Sequence, residues 1–144
     1  MKRTIALVAH DGRKKDLFDW VSHNQKKLNS LHVYATGTTG KMISEVLDQV
    51  TPLKSGPLGG DQQLGALIAE GKIDYMIFFW DPMTSQPHDV DVKALLRMTV
   101  LYNVPTACNR STADFMITSV LYNDPEYQPI LKDYSVYLKR MDNN

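Results

Sequence analysis

Short apolar runs and amphipathic segments alternate along most of the chain. Runs of aliphatic and aromatic residues predict buried strands at Thr4–Ala9, Leu31–Ala35, Ile73–Phe79 and Val104–Cys108. Apolar residues at helical spacing predict helices at Asp16–Asn24, Met42–Leu47, Leu64–Ile68 with an end near Gly71, Asp89–Tyr102, Ser111–Ile117 with a serine or threonine cap, and Ile130–Lys139. The alternation predicts a single α/β domain over residues 1–144, with a doubly wound parallel sheet and helices on both faces.

Polar residues cluster directly after several of these predicted strands. In a parallel α/β sheet a ligand binds beyond the C-terminal ends of the strands, so clusters at that edge can form one site. The clusters are His10-Asp11 with Lys14, the turn Thr36–Gly40, the run Ser55–Asp61 in the next connection, Asp81–Asp91, and Asn109 with Ser111. The sequence therefore predicts a polar site on one edge of the sheet.

The run Ser55-Gly56-Pro57-Leu58-Gly59-Gly60-Asp61-Gln62-Gln63 combines glycines with a carboxylate at the start of a predicted helix. Glycine lets backbone N–H groups approach a ligand closely, and this suits an anion such as phosphate. A carboxylate at the same place would repel that anion. Asp61 is therefore either a helix cap or a group that acts on a neighbouring part of a phosphate-bearing molecule.

The turn Thr36-Gly37-Thr38-Thr39-Gly40 also has the hydroxyl groups and glycines of a phosphate-binding turn. It is not a P-loop, because Ala35 replaces the first glycine and Met42 replaces the hydroxyl residue that would hold magnesium. One interpretation is a helix capped by Thr38 or Thr39. The other is a second phosphate turn, with Lys14 as its cation rather than a solvated surface lysine.

The segment His88-Asp89-Val90-Asp91 begins a predicted helix. Carboxylates are favoured in the first turn of a helix, so Asp89 is explained as a helix cap. Asp91 is explained either by the same effect or by a contact with His88 across one helical turn. Asp81 fits a turn residue, and His10 fits a strand-end histidine bonded to the backbone. The four histidines form no i,i+4 pair and the chain has one cysteine, so no metal site is predicted.

Composition narrows the class of protein. The chain has 144 residues, enough to bury a hydrophobic core. Its formal net charge is zero, so it lacks the excess of basic residues that is typical of proteins that bind nucleic acid. The lone Cys108 excludes a disulfide framework and fits a reducing compartment. The apolar run after Lys2-Arg3 is too short for a signal peptide, and no stretch reaches transmembrane length. We therefore expect a cytoplasmic protein without nucleic-acid or membrane partners.

Taken together, the motifs resemble those of the methylglyoxal synthase family, and the resemblance extends from about Ile5 to Phe115. The residues that carry it are Val8-Ala9-His10-Asp11 with Lys14, Tyr34–Gly40, Ser55–Gln63, Phe78–Pro82 and Pro87–Arg97. The resemblance implies a lyase that converts dihydroxyacetone phosphate to methylglyoxal and inorganic phosphate without a metal or other cofactor. It also implies a homohexamer, with allosteric inhibition by phosphate in some members.

The resemblance also implies roles for individual residues. Asp61 would be the catalytic base that forms an enediolate, with His88 on the substrate oxygens and Asp91 as a further catalytic residue. The substrate and its phosphate would be bound by His10, Lys14, Thr36, Gly37, Thr38, Thr39, Ser55, Gly56 and His88. Asp11 and Asp81 would belong to the supporting hydrogen-bond network.

Two other functions are compatible with the same fold. One is a non-catalytic regulatory domain that senses a phosphate ligand, and the other is a flavodoxin-like scaffold for protein partners. The joint presence of Asp61, His88 and Asp91 in one chain argues against the regulatory domain, and the scaffold is the weaker of the two alternatives. In the tail, Lys139-Arg140 is either a binding point for inhibitory phosphate or a solvated helix end.

Overall fold

A five-stranded sheet forms the centre of the computed structural model, which describes residues 2–142. The strands are β1 (Thr4–Ala9), β2 (His32–Thr36), β3 (Thr51–Leu53), β4 (Tyr75–Phe79) and β5 (Thr106–Ala107). Their order is β3-β2-β1-β4-β5, and every neighbouring pair is parallel. This confirms the predicted parallel α/β sheet. The single domain over residues 1–144 stays a prediction, and residues 1, 143 and 144 lie outside the described part.

Helices cover both faces of the sheet, as predicted for a doubly wound fold. They are α1 (Lys14–His23), α2 (Gln25–Leu28), α3 (Gly37–Ile43), α4 (Gly60–Ala69), α5 (Asp89–Leu101), α6 (Arg110–Thr118) and α7 (Ser135–Asp142). Alternate residues of β1 enter different cores: Leu7 packs with α1, α3 and α6, and Val8 packs with α4 and α5. Because successive side chains of a strand point to opposite faces, the all-apolar run of β1 supplies both cores.

Several predicted boundaries are wrong. Residues Thr36–Gly40 do not form a turn, because β2 ends at Thr36 and α3 begins at Gly37. The helix predicted over Met42–Leu47 ends at Ile43. The hydroxyl group of the next residue, Ser44, donates a hydrogen bond to the Gly40 carbonyl. Serine competes in this way with the backbone hydrogen bonds of a helix. Leu47 is buried, but it lies outside the helix.

The ends of the sheet also differ from the prediction. Strand β3 was not predicted, because it is three residues long with Pro52 at its centre, and proline is tolerated only at a sheet edge such as this one. Strand β5 is shorter than the predicted Val104–Cys108, and the proline at position 105 precedes its first residue. In the tail, α7 begins at Ser135, so Ile130–Tyr134 is not helical.

Caps come from residues other than those predicted. Asn109, not a serine or threonine, caps α6: its Oδ1 accepts from the backbone N–H of Thr112 at 3.0 Å. Thr36 occupies the position before α3, so neither Thr38 nor Thr39 caps it. The residue before α5 is His88, and Asp89 Oδ2 accepts from the backbone N–H of Gln86 at 3.1 Å.

Strand order places the switch point of the sheet between β1 and β4. The chain passes from β1 to β2 and β3 on one side and returns to β4 on the other side. In doubly wound sheets the connections diverge at this point and leave a crevice beyond the carboxyl ends of the strands. Within residues 2–142, no helix is long and apolar enough to span a bilayer.

The cap of α6 gives a test of the fold itself, because neither Asn109 nor Ser111 lines the cavity at the carboxyl end of the sheet. Replacing Asn109 by alanine removes the acceptor for Thr112 N–H, so we expect Asn109→Ala to lower the free energy of unfolding by about 1 kcal/mol. Ser111→Ala removes the hydroxyl of the residue predicted as a cap and should change it by less than about 0.5 kcal/mol. Urea denaturation measures both. Equal effects of the two substitutions would contradict the assignment of Asn109 as the cap.

Candidate active site

A cavity of about 260 Å³ lies at the carboxyl end of the sheet. It is small compared with pockets for drug-sized ligands, which span about 300–1,000 Å³, so its size favours a ligand of a few heavy atoms. The cavity is lined by Val8, Ala9, His10, Asp11, Lys14, Thr36, Gly37, Thr38, Thr39, Ser55, Gly56, Pro57, Asp61, Gln86 and His88. Most of the predicted site residues therefore come together in one place.

A lysine and a hydroxyl group meet at one part of this cavity. Lys14, from the first turn of α1, donates through Nζ to the Thr38 hydroxyl on α3 and pairs with the Asp11 carboxylate at 2.6 Å. The Lys14 ammonium beside Asp11 lowers the pKa of that carboxyl group. Because Asp11 is exposed and Lys14 largely shielded, the cation is held in place with its charge only partly neutralised. This arrangement suits a phosphate group.

A glycine allows the two predicted phosphate turns to touch. Gly37 has a φ of +47°, and a Cβ at this position would lie 2.7 Å from Ser55 Cα. The left-handed conformation and the close contact both favour glycine. The start of α3 and the Ser55–Gly56 segment can therefore present their polar groups to the same ligand.

The Asp61 carboxylate is the most deeply buried charged group of the cavity. Its residue is 3 % exposed, and Oδ2 has no hydrogen-bond partner. The distance from Oδ2 to Nε2 of His88 is 3.6 Å, which is too long for a hydrogen bond. Burial raises the pKa of Asp61, His88 opposes that effect, and the negative charge of Asp91 adds to it. The carboxylate is thus destabilised as an anion and is a stronger base than an exposed aspartate.

Backbone geometry places Asp61 at the cavity. The residue before α4, Gly59, has a φ of +104°, and a Cβ on Gly60 would lie 1.8 Å from the Lys54 carbonyl oxygen. A Cβ on Gly56 would lie 2.7 Å from His88 Nε2 and 3.2 Å from Asp61 Oδ2. These glycines bring the backbone of residues 54–60 into direct contact with the start of α4 and with both side chains.

His10 is held by the backbone in one orientation. Its Nδ1 accepts from the backbone N–H of Asp81 at 2.9 Å. An acceptor at Nδ1 assigns the proton of the neutral ring to Nε2, and this buried atom has no partner. Burial lowers the pKa of His10, and the neighbouring His88 lowers it further. The ring is therefore neutral near pH 7 and has one unused N–H donor.

Two predicted site residues lie outside the cavity. Asp91 lies in a groove between α4 and α5, on the far side of Asp61, which lines both the groove and the cavity. Asp81 does not line the cavity and contacts His10 through its backbone. Asp91 is therefore linked to the cavity by its negative charge beside Asp61, and Asp81 by its backbone hydrogen bond to His10.

Gln86 lines the cavity and was not singled out from the sequence. It lies in the loop between β4 and α5, where no periodic pattern shows which side chains turn inwards. Its position two residues before His88 was the only available signal. Among the described residues, no group of three or more His, Cys, Asp or Glu could hold a metal ion.

The chain is similar in sequence and fold to proteins of a known family. A family model described as MGS-like domain matches residues 16–108, more than half of the chain. The methylglyoxal synthase of Oleidesulfovibrio alaskensis is 56% identical over 142 residues, which cover 97% of this chain and 96% of that protein. The methylglyoxal synthase of Leptospira interrogans is 57% identical over 139 residues, covering 96% of this chain and 93% of that protein.

Solved structures agree with the sequence comparison. The crystal structure of methylglyoxal synthase from Elizabethkingia anophelis superimposes with a TM-score of 0.90 at 54% identity, covering 96% of this chain and 91% of that one. An identity above half of the residues over nearly the full length of both chains shows common descent. The chain therefore belongs to the methylglyoxal synthase family of enzymes, as its motifs predicted.

Proposed function

We propose that this protein converts dihydroxyacetone phosphate to methylglyoxal and inorganic phosphate. The observation that supports this most directly is the buried Asp61 carboxylate, which shares one small cavity with Lys14 and the hydroxyl groups of Thr38 and Ser55. A base without a partner beside an anion site fits a small phosphate ester that must lose a proton from carbon. The names of the relatives support the same reaction.

The reaction consists of two bond-breaking steps. Asp61 removes a proton from the hydroxymethyl carbon, and the C–H electrons form a carbon–carbon double bond to the former carbonyl carbon, giving an enediolate. The hydroxyl group then passes its proton to the enediolate oxygen and its carbon becomes an aldehyde, while the double bond shifts towards the phosphate-bearing carbon. The C–O bond to phosphate breaks with its electron pair on phosphate, which takes up the proton held by Asp61. The products are inorganic phosphate and the enol of methylglyoxal, which becomes methylglyoxal by gaining a proton on carbon and losing one from oxygen.

The proton must come from the hydroxymethyl carbon. An enediolate formed at the phosphate-bearing carbon would hold the phosphate on a double-bonded carbon, from which no electron pair could expel it. The phosphate and the reacting C–H bond therefore lie at opposite ends of the substrate. Lys14 and Thr38 would hold one end, and Asp61 would face the other.

Asp61 acts as the base because its surroundings do not stabilise its charge. An exposed aspartate has a pKa of about 3.9 and is a weak base for a carbon acid. Burial raises the pKa of Asp61, and the missing hydrogen bond leaves Oδ2 free to accept the proton. A positioned base of this kind contributes a factor of about 10² to 10⁴ in rate.

The two histidines stabilise the enediolate oxygen. His10 offers Nε2–H, because its Nδ1 accepts from the backbone, and His88 lies beside Asp61. A neutral imidazole donor does not lose its proton to the enediolate as readily as an imidazolium would. One preorganised donor at a developing oxyanion lowers the barrier by about 3–4 kcal/mol.

The second step depends on how the phosphate is held. The C–O bond must stand perpendicular to the enediolate plane, because only then do the electrons of the double bond overlap with the bond that breaks. Lys14, the Thr36–Thr39 segment, Ser55 and Gly56 would fix this direction and stabilise the departing dianion. An enzyme that kept the bond in the plane would isomerise the substrate instead.

Assembly as a homohexamer, inhibition by phosphate and a cytoplasmic location stay predictions from the sequence. Large apolar side chains are exposed on α7 and in the segment before it, and contacts between subunits of a homohexamer would cover such a surface. These side chains are Ile130, Leu131, Val136, Tyr137 and Leu138. Lys139 and Arg140 lie in the last turn of the same helix.

The first test is turnover by the wild type and by Asp61→Asn. Wild-type protein incubated with dihydroxyacetone phosphate should release methylglyoxal and phosphate in equal amounts, faster than the uncatalysed reaction. Asp61→Asn should lower kcat by at least about 10²-fold, because the amide is not a base. Asp19→Asn, an exposed aspartate on α1, is the matched control and should retain activity. An inactive but folded wild type would refute the proposed reaction.

Asp61 also gives a prediction about stability and pH. Its pKa is raised in the folded state, so the folded protein binds the Asp61 proton more tightly than the unfolded chain does. The contribution of Asp61 to the free energy of unfolding is therefore lost as pH rises from its pKa in the unfolded chain, about 3.9, through its higher pKa in the folded protein. The free energy of unfolding of Asp61→Asn, relative to wild type, should increase with pH over that window. Urea denaturation at several pH values measures it, and a decrease would show that folding lowers the pKa of Asp61, contrary to this prediction.

Gly56 gives a steric test of the site. A Cβ at Gly56 would lie 2.7 Å from His88 Nε2, so Gly56→Ala forces the buried pair apart. We expect kcat/KM to fall by about 10²-fold, since displacements of about 1 Å have effects of that size. Gly65→Ala is the control, because nothing lies within 4 Å of its new Cβ and alanine suits a helix interior. Steady-state kinetics of both variants, with circular dichroism for the fold, decides the outcome, and equal activity would contradict the close contact.

A further inference from the structure

The glycine-rich segment ends in two glutamines, Gln62 and Gln63, for which the proposed reaction has no use. Both lie in the first turns of α4, and both are exposed. Their contacts nevertheless differ. The Oε1 atom of Gln63 accepts a hydrogen bond of 2.7 Å from the backbone N–H of Lys54. Gln62 lies in the groove between α4 and α5, and its side chain forms no hydrogen bond with the described residues.

The contact of Gln63 closes a loop that other bonds already hold together. The carbonyl of Ser55 accepts from the backbone N–H groups of Leu58 at 3.0 Å and Gly60 at 2.9 Å. The Lys54 carbonyl packs against Gly60 so closely that a Cβ there would lie 1.8 Å away. Two contacts thus hold Lys54 against α4: its carbonyl group packs on Gly60, and its backbone N–H donates to the side chain of Gln63.

This loop connects the two ends of the proposed active site. Ser55 and Gly56 follow Lys54 directly and line the cavity, and Asp61 follows Gly60 on α4. Strand β3, which precedes Lys54, is three residues long and lies at the sheet edge. The side chain of Gln63 therefore adds a second bond, beside the one from Gly60 N–H to the Ser55 carbonyl, that fixes the start of the phosphate turn relative to the helix of the base.

We infer that Gln63 is a positioning residue: by holding Lys54 N–H, it sets the distance between the Ser55–Gly56 turn and the Asp61 carboxylate. This inference rests on the proposed function. A substrate gripped by its phosphate presents its reacting carbon to Asp61 only if turn and helix keep a fixed separation. Without the bond, the turn still binds phosphate but holds the substrate at varying distances from the base.

The test compares Gln63→Met, which keeps the length of the side chain without an acceptor, with Gln63→Glu, which keeps an acceptor oxygen. Gln63→Met should lower kcat by about 10- to 100-fold, with KM changed by less than about threefold. Gln63→Glu should stay within about threefold of the wild type, since a carboxylate also accepts from N–H. Gln62→Met, the neighbouring control, should stay within about twofold.

Hydrogen–deuterium exchange supplies a readout that needs no turnover. Amides of residues 54–56 should exchange faster in Gln63→Met than in wild type or Gln62→Met, while the midpoint of thermal unfolding changes by less than about 4 °C. Faster exchange with unchanged kcat would overturn the positioning role, as would a loss of kcat that Gln63→Glu does not rescue. Unchanged exchange would show that the bond does not hold the turn.

Failure of the proposed function would look different. In that case the wild type itself would release no methylglyoxal, and the exchange experiment with inorganic phosphate bound would replace kinetics. Phosphate should then protect residues 54–56 in the wild type and in Gln63→Glu, and less in Gln63→Met. Equal protection in all three proteins would overturn the inference about Gln63.

Discussion

The burial of the Asp61 carboxylate, with no hydrogen-bond partner for Oδ2, is the constraint on which the candidate site depends. An isolated buried charge costs several kcal/mol, and proteins ordinarily avoid it by pairing or by protonation. Here the nearest partner, His88, lies 3.6 Å away, and Gly56 fills the space beside both side chains. The glycine-rich loop packs against both side chains, and no described group donates a hydrogen bond to Oδ2 that would offset this cost.

The same loop explains how an anion site and an anion can be neighbours. The Lys14 ammonium is held by Asp11, which also follows β1, and by Thr38, which follows β2, and this is where the proposed phosphate would bind. Asp61 receives no such cation, and Asp91 adds a further negative charge behind it. The lining of the cavity therefore carries a cation, Lys14, on one element and an unstabilised base, Asp61, on another. A substrate with a phosphate at one end and an acidic C–H bond at the other matches that arrangement.

The sequence predicts the fold better than the details of the site. Strand β1 has the predicted bounds because its apolar run enters two cores, and any parallel strand buried on both faces has that pattern. Strand β3 has no such pattern, because three residues around Pro52 at a sheet edge bury little. The gathering of Asp61, His88 and Lys14 followed from the strand-end rule. The same rule did not predict that Asp91 lies outside the cavity and that Gln86 lines it. These two placements depend on the directions of side chains in loops and in the first turns of helices.

In the proposed reaction, the distinction between elimination and isomerisation would follow from where these groups lie along the chain. Both outcomes begin with the same enediolate, so the base alone cannot choose between them. The choice is made by the angle between the phosphate C–O bond and the enediolate plane, and this angle is fixed when phosphate turn and base are rigidly joined. In this chain Ser55, Gly56 and Asp61 belong to one short segment that hydrogen bonds to itself and packs on Lys54. A shift of the turn would therefore change the direction of the C–O bond as well as the reach of the base, so that loss of rigidity would affect the identity of the product together with the rate.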